Sequence, residues 1–138
     1  MHRRVLHWSI GVGMLALCAI LVSCGDTQPN RKQSASLSLI QNATASGLAT
    51  VVEFGAASCA SCREMKVVLD KVAQQTQGRA HVLIVDITKD WEVARTFNIQ
   101  MMPTQVFFDS NGRESGRHIG KLSEVEIIAR LGIPSSHD

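Results

Sequence analysis

Two cysteines, Cys59 and Cys62, lie where an apolar strand pattern gives way to an amphipathic helix pattern, and few folds accommodate that arrangement. Residues 49–54 (ATVVEF) form a short, nearly continuous apolar run, which is typical of a buried strand. After the loop GAAS, helical spacing begins at about Cys59 and continues to Gln77. Its apolar face is formed by Met65, Val68, Leu69 and Val72. The cysteine pair is therefore predicted to lie at the start of a helix that follows a buried strand.

The rest of the chain alternates between strand and helix patterns. Residues 80–87 (AHVLIVDI) form a second apolar strand, of the kind found in parallel pairs with both faces covered. The other predicted elements are helices at 37–46 and 89–97, strands at 104–109 and 113–119 joined by an Asn111-Gly112 turn, and a helix at 123–131. The order α-β-α-β-α-β-β-α predicts one domain of the α/β class.

The N-terminus resembles a bacterial lipoprotein signal. A basic start with two arginines precedes an uncharged apolar run at 10–22, which is shorter than the roughly 20 residues of a transmembrane helix. The run ends in LVSC (21–24), which resembles the lipobox, whose cysteine is lipidated and becomes the new N-terminus. We therefore predict a signal peptide at 1–23 and lipidation of Cys24. An ordinary secretory peptide and an uncleaved anchor are the alternatives.

Removal of that signal changes the charge of the chain. The chain has 14 basic and 12 acidic side chains, and two of the basic ones lie in 1–23, so the net charge from residue 24 onward is zero. Because no basic stripe is present, we predict no nucleic-acid partner. The polar stretch at 24–36 is predicted to be a flexible tether for a domain at 37–138. The expected location is extracytoplasmic, lipid-anchored to a bacterial membrane, and periplasmic if there are two membranes.

The sequence CASC indicates redox chemistry. Unpaired N–H groups and the helix dipole at a helix start stabilise a thiolate, and such motifs lower a cysteine pKa from about 8.5 to roughly 3.5–7.5. Cys59 is therefore the predicted nucleophile. Cys62, one turn further into the helix, is the predicted resolving thiol, which attacks the mixed disulfide and releases the reduced partner. Ala60 and Ser61 are expected to tune the reduction potential.

A structural disulfide and half of a zinc site are the alternative uses of these cysteines. A bridge across so short a loop would contribute little stability. Zinc would require two more ligands, and His81, His118 and His137 do not have ligand spacing. We therefore predict no metal site and no cofactor.

Two longer stretches resemble the thioredoxin family: VVEFGAASCASC, a strand that runs into the redox motif, and MMPTQVFFDSNG, a proline-threonine pair that enters a hairpin. Their spacing and the order of helices match as well, and the resemblance covers residues 48–131. It implies a thioredoxin fold, with a central mixed four-stranded sheet flanked by helices. The family's first strand has no counterpart, since 37–46 supplies the first helix.

The resemblance implies roles for residues beside the cysteines. Pro103 matches the family's cis-proline, which helps present backbone for pairing with the substrate. The implied substrate contacts are Met102 and Thr104, on either side of this proline, together with Ala60 and Ser61.

Glu53 matches a buried aspartate of thioredoxin-like proteins, which assists proton transfer to or from the second cysteine. Burial in an apolar strand would raise the pKa of Glu53 and suit it as a proton acceptor near neutral pH. A solvated strand residue and a paired core carboxylate are the alternatives. The chain also departs from the family, with Ala60-Ser61 in place of Gly-Pro and Met101-Met102 in place of glycine and isoleucine. Partner choice and redox poise therefore cannot be carried over from thioredoxin itself.

These features predict a membrane-tethered, extracytoplasmic thiol–disulfide oxidoreductase that acts as a monomer. The expected partners are protein disulfides or dithiols, and the minimal domain favours a reductant. A lipoprotein outside the cytoplasm would then need an electron donor in or near the membrane. The alternatives are a non-enzymatic binding module of the same fold and a metallochaperone that binds a soft ion such as Cu(I) through the two thiolates.

Overall fold

The structure is a computed structural model that describes residues 34–134, and its strands form one mixed sheet. The elements in chain order are α1 (Ala35–Thr44), β1 (Ala49–Gly55), α2 (Ala60–Gln75), β2 (Ala80–Asp86), α3 (Trp91–Thr96), β3 (Thr104–Phe108), β4 (Glu114–Ile119) and α4 (Glu124–Arg130). The strand order is β2-β1-β3-β4. The β1–β2 pair is parallel, and the β1–β3 and β3–β4 pairs are antiparallel.

This architecture confirms the predicted α/β class and the four-stranded mixed sheet flanked by helices. The predicted elements are present in the predicted order, and each bound lies within two residues of its prediction. Helix α1 begins at Ala35 rather than 37, because the Ser34 hydroxyl caps it by accepting a hydrogen bond from the Leu37 backbone N–H at 3.1 Å. The last two residues of the predicted tether therefore belong to the helix.

The predicted signal peptide, Cys24 and residues 25–33 of the predicted tether lie outside the described residues, as do residues 135–138. Within 34–134, the helices are too short or too polar to cross a bilayer.

Apolar side chains cover both faces of the sheet. On the face packed against α2 and α4, the buried cluster consists of Val51, Met65, Leu69, Val72, Phe107, Leu122, Ile127 and Leu131. On the opposite face, packed against α1 and α3, it consists of Ile40, Val52, Phe54, Val85, Val93, Val106 and Phe108. Strand β1 contributes to both clusters, because successive side chains of a strand point to opposite faces.

The end of β1 is fixed from both sides. On the β2 side, the Ile87 backbone N–H donates to the Gly55 carbonyl at 2.9 Å. On the β3 side, Phe54 is paired in register with Thr104. The loop that leads from β1 into α2 therefore starts from a central, constrained strand.

Helix α2 is held to α4 as well as to the sheet. The Leu122 backbone N–H, just before α4, donates to Met65 Sδ at 3.3 Å, and Lys71 Nζ lies 2.9 Å from a carboxylate oxygen of Glu124. These contacts along α2 fix the position of the whole helix, and therefore of its first turn.

Two valines of α2 provide a matched test of this packing. Val72 is 0% exposed, whereas Val67 is 58% exposed. We expect Val72→Ala to lower the free energy of unfolding by about 2 kcal/mol, because it removes buried methyl groups and leaves a cavity. Val67→Ala should change it by less than about 0.5 kcal/mol. Urea unfolding of both variants measures the difference, and equal losses would contradict the assignment of the core.

Candidate functional site

Cys59 and Cys62 lie at the start of α2 and are joined by a disulfide bond. Cys59 is the N-cap residue, and its Sγ accepts a hydrogen bond from the Cys62 backbone N–H at 3.2 Å. The Ser61 hydroxyl lies 3.3 Å from the same sulfur. The predicted position of the pair is therefore confirmed, and two donors converge on the sulfur of Cys59. In the reduced protein, these donors would favour a thiolate at Cys59 over one at Cys62.

The two cysteines differ in exposure. Cys62 is buried at 5% exposure, whereas Cys59 is partly exposed. Because a thiol–disulfide exchange requires an incoming sulfur to reach the bond, Cys59 is the more accessible of the two residues for this attack. The roles predicted for the two residues, nucleophile and resolving thiol, fit this difference.

Gly55 allows the end of β1 to approach Cys62 closely. A Cβ at this position would lie 3.1 Å from Cys62 Cβ, 3.2 Å from Cys62 Sγ and 3.1 Å from Glu53 Oε1. Cys62 Sγ and Glu53 Oε1 thus border the same small space. Their separation cannot exceed the sum of their distances from this Cβ position, 3.2 and 3.1 Å. The missing side chain of Gly55 is what keeps that space open.

Glu53 is the buried acid of this site. It is 1% exposed, and both its carboxylate oxygens lack a hydrogen-bond partner among the described residues. Burial raises the pKa of Glu53 from 4.5 to about 7, because the charged form is desolvated. This burial does not fit a solvated strand residue, and the proton-transfer role of Glu53 stays a prediction.

A cavity of about 150 Å³ connects this acid with the surface. Its lining includes Glu53, Gly55 and Cys62 at the inner end, and it also includes the exposed residues Arg63 and Lys66. The volume is large enough for water molecules. This cavity is therefore the route by which a proton would travel between the buried carboxyl and solvent.

Gln105 is a site residue that sequence reasoning missed. It is 0% exposed, it is paired in register with Glu53, and both its amide atoms lack a hydrogen-bond partner within the described part of the chain. An unpaired buried polar group costs about 1–3 kcal/mol. The only signal in the sequence was a polar residue inside the apolar run TQVFF, which does not reveal the strand opposite it.

The predicted cis-proline lies at the same end of the sheet. The Met102–Pro103 peptide bond is cis, as predicted, and Pro103 is buried. The Thr104 side chain is 3% exposed and donates to the Met101 carbonyl at 2.8 Å, so its hydroxyl is turned away from solvent. Met101 and Met102 are 60% and 40% exposed, respectively. Of the two substrate contacts predicted here, Met102 is the one whose side chain a substrate can reach.

The remaining predicted contacts lie on the first turn of α2, where Ala60 is exposed and Ser61 is partly buried. No group of three or more His, Cys, Asp or Glu side chains within 34–134 is arranged to hold a metal ion.

Residues 37–132 match the family described as thioredoxin, and this range is more than half of the chain. The chain belongs to the thioredoxin family. Its described residues form a thioredoxin-like redox domain, in which the CxxC pair closes as a disulfide at the start of α2.

Several relatives share the thioredoxin domain. The chain is 35% identical over 90 residues to the chloroplastic thioredoxin-like protein HCF164 of Oryza sativa subsp. japonica, and 34% identical over 93 residues to that of Arabidopsis thaliana. These alignments cover 64% and 66% of this chain but 34% and 36% of the relatives, so the chain spans about a third of their length. Thioredoxin 1 of Nostoc sp. is 32% identical over 86 residues, which are 62% of this chain and 79% of that protein.

Solved thioredoxin structures have the same fold. Chloroplastic thioredoxin z superposes with a TM-score of 0.63 at 24% identity, over 72% of this chain and 88% of that one. Thioredoxin-2 of the malaria parasite superposes with a TM-score of 0.59 at 26% identity, over 62% and 82% of the two chains.

The buried acid gives the thioredoxin domain a specific pH dependence of stability. The pKa of Glu53 is about 7 in the folded protein and about 4.5 when exposed, so between these values the folded state keeps a proton that the unfolded state has lost. Stability is therefore expected to fall as the pH rises from about 4.5 to about 7, and then to level off. At about 1.4 kcal/mol for each unit of pKa, the loss is at most about 3.5 kcal/mol.

Glu53→Gln removes this titration while keeping the size of the side chain. We expect the variant to match the parent near pH 4.5 and to be more stable by about 1–3 kcal/mol at pH 8. Urea unfolding of both proteins at several pH values measures the difference. A stability difference that does not change with pH would contradict the raised pKa.

Proposed function

We propose that this protein is a membrane-tethered thiol–disulfide oxidoreductase that reduces protein disulfides outside the cytoplasm. The observation that carries the proposal is the Cys59–Cys62 disulfide at the N-terminus of α2, with a partly exposed Cys59, a buried Cys62 and a buried acid beside Cys62. Membership of the thioredoxin family supports the reaction.

The first step uses the reduced form of the protein. The Cys59 thiolate attacks one sulfur of a substrate disulfide, so a Cys59–substrate bond forms and the substrate disulfide breaks. The second substrate sulfur leaves as a thiolate and takes a proton from solvent. The backbone N–H of Cys62 and the hydroxyl of Ser61, at 3.2 and 3.3 Å from Cys59 Sγ, stabilise the thiolate before the attack.

The second step releases the substrate. The Cys62 thiol transfers its proton to the Glu53 carboxylate, directly or through water in the cavity, and the Cys62 thiolate attacks Cys59 Sγ. The Cys59–Cys62 bond forms, the Cys59–substrate bond breaks, and the released thiolate takes up a proton. Two electrons pass in all from the cysteine pair to the substrate. The pKa of Glu53, about 7, lets the same carboxyl accept and return a proton near neutral pH.

The substrate contacts are proposed on the rim formed by Met102 and Pro103 and by the first turn of α2. Met102 offers an exposed and flexible thioether, which packs against apolar surfaces of different shape. This rim suits protein substrates with an apolar segment next to their disulfide. Ala60 and Ser61, on the first turn of α2, would contact the same substrate segment.

The tether and the location rest on the N-terminal sequence. The apolar run at 10–22 followed by LVSC supports lipidation of Cys24 after removal of residues 1–23. A domain held at a membrane surface in this way requires electrons from a donor in or near the membrane, because the cytoplasmic pool of reductants is out of reach.

Substitution of each cysteine separates the proposed enzyme from a passive binding module. Cys59→Ser is expected to abolish reduction of insulin disulfides, since the attacking thiolate is lost. Cys62→Ser should also lose turnover but accumulate mixed disulfides with substrate proteins, because the resolving thiol is missing. The species are measured on non-reducing gels and by mass spectrometry. Full biological function of Cys59→Ser in cells would overturn the enzyme and favour the binding module, whereas stoichiometric copper in the purified parent would favour the metallochaperone.

Cys24→Ser tests the tether independently of the redox site. We expect the parent to incorporate a labelled fatty acid and to sediment with membranes, whereas the variant should lose the label and leave the membrane fraction. Insulin reduction by the variant should equal that of the parent, because Cys24 precedes the redox domain. Unlabelled parent protein would show that the segment is an ordinary secretory peptide or an uncleaved anchor.

A further inference from the structure

A row of side chains crosses the sheet at the level of the buried acid. The register places Ile84 of β2 beside Glu53 of β1, Glu53 beside Gln105 of β3, and Gln105 beside His118 of β4. Directly paired residues of neighbouring strands point to the same face, here the face covered by α2 and α4. Glu53 and Gln105 are therefore nearest neighbours inside the protein, 1% and 0% exposed.

These two side chains hold the buried polar atoms that lack partners in residues 34–134, namely both oxygens of Glu53 and both amide atoms of Gln105. Buried polar groups in proteins are almost always hydrogen-bonded. A glutamine amide supplies two N–H donors, and an ionised carboxylate is an acceptor only. The two groups are chemically complementary, and their direct pairing across β1 and β3 places them on neighbouring strands at the same level.

We propose that Gln105 is a positioning residue for Glu53: its amide N–H donates a hydrogen bond to the Glu53 carboxylate when that group is ionised, and so holds it ready to accept the proton of Cys62. The inference rests on the proposed oxidoreductase function, and it adds a residue of β3 to the proton-transfer machinery. When Glu53 becomes protonated, the same amide can turn its oxygen toward the new O–H donor. Gln105 thus remains paired in both states.

Other titratable or charged groups lie on the elements packed around Glu53. Those that line the same cavity are Cys62, Arg63 and Lys66 of α2 and Asp86 at the end of β2. His118 of β4 lies beside Gln105 in the row, and it interacts in turn with Glu126 of α4. The two cations are exposed and lie on the wall of an open cavity, so solvent screens their charge. Gln105 is the group that is both fully buried and directly opposite.

Gln105→Met tests the proposal, because methionine keeps the length of the side chain and removes the amide. With the donor lost, the ionised carboxylate is less stable, so the pKa of Glu53 should rise by about one unit. Resolution of a preformed mixed disulfide should then show a pH midpoint about one unit higher than in the parent. The rate should be several-fold lower at pH 7 and restored at higher pH. Gln74→Met, an exposed substitution on α2, serves as the matched control and should leave the midpoint unchanged.

A double-mutant comparison separates positioning from simple packing. In a Glu53→Gln background, Gln105→Met should cause no further change in the resolution rate or its pH profile. Equal slowing in both backgrounds, or an unshifted pH midpoint in the single variant, would overturn the proposal.

An activity-free measurement on the full, unmodified chain completes the test. The side-chain amide signals of Gln105 in NMR spectra should titrate with the same midpoint as the carboxyl carbon of Glu53, and the titration should vanish in Glu53→Gln. Amide signals that stay constant while Glu53 titrates would overturn the proposal, whether or not Gln105→Met folds. Failure of the parent to exchange disulfides would count against the proposed function alone, since the NMR titration does not depend on turnover.

Discussion

The close approach of strand and helix at Gly55 is the constraint on which the rest of this site depends. Strand β1 ends with no side chain at the point where Cys62 Cβ, Cys62 Sγ and Glu53 Oε1 would each lie within 3.2 Å of a Cβ atom. Because that Cβ atom is missing, the sulfur of Cys62 and the carboxyl group of Glu53 border one space without having to shift. The packing of α2 against the sheet and α4 then fixes Cys59 at the helix start, where Cys59 is partly exposed and Cys62 is buried.

The burial of Glu53 beside Cys62 lowers the stability of the folded state. An ionised carboxyl group at 1% exposure is unfavourable, and the raised pKa of Glu53 is the measure of that cost. An apolar residue in place of Glu53 would stabilise the folded state, as Val51 does two positions earlier on the same face of the sheet. A polar pair in an otherwise apolar layer is the pattern expected where function, rather than packing, determines the residue.

Local signals in the sequence were enough to predict most of the fold. Apolar runs, helical spacing and the Ser123–Glu126 capping box each depend on residues a few positions apart, and the elements they predict are present. The CxxC motif and its position at a helix start were also predicted from residues only a few positions apart. What local patterns could not show was the register between strands, which brings Gln105 opposite Glu53 although more than fifty positions separate them. The orientation of the Thr104 side chain escaped prediction for a related reason, because it depends on the loop geometry at Met101.

The two exposed methionines that precede the cis-proline have a consequence for the chemical stability of the protein. Met101 and Met102, at 60% and 40% exposure, precede the cis-proline and are open to small oxidants in the medium. Oxidation of a methionine to its sulfoxide turns an apolar, flexible side chain into a polar one. Such a change would alter the surface proposed to contact a substrate, and it requires no reaction at the cysteine pair. In the proposed oxidoreductase, oxidation of Met102 would therefore change the preference among substrates by a route that does not involve the cysteine pair.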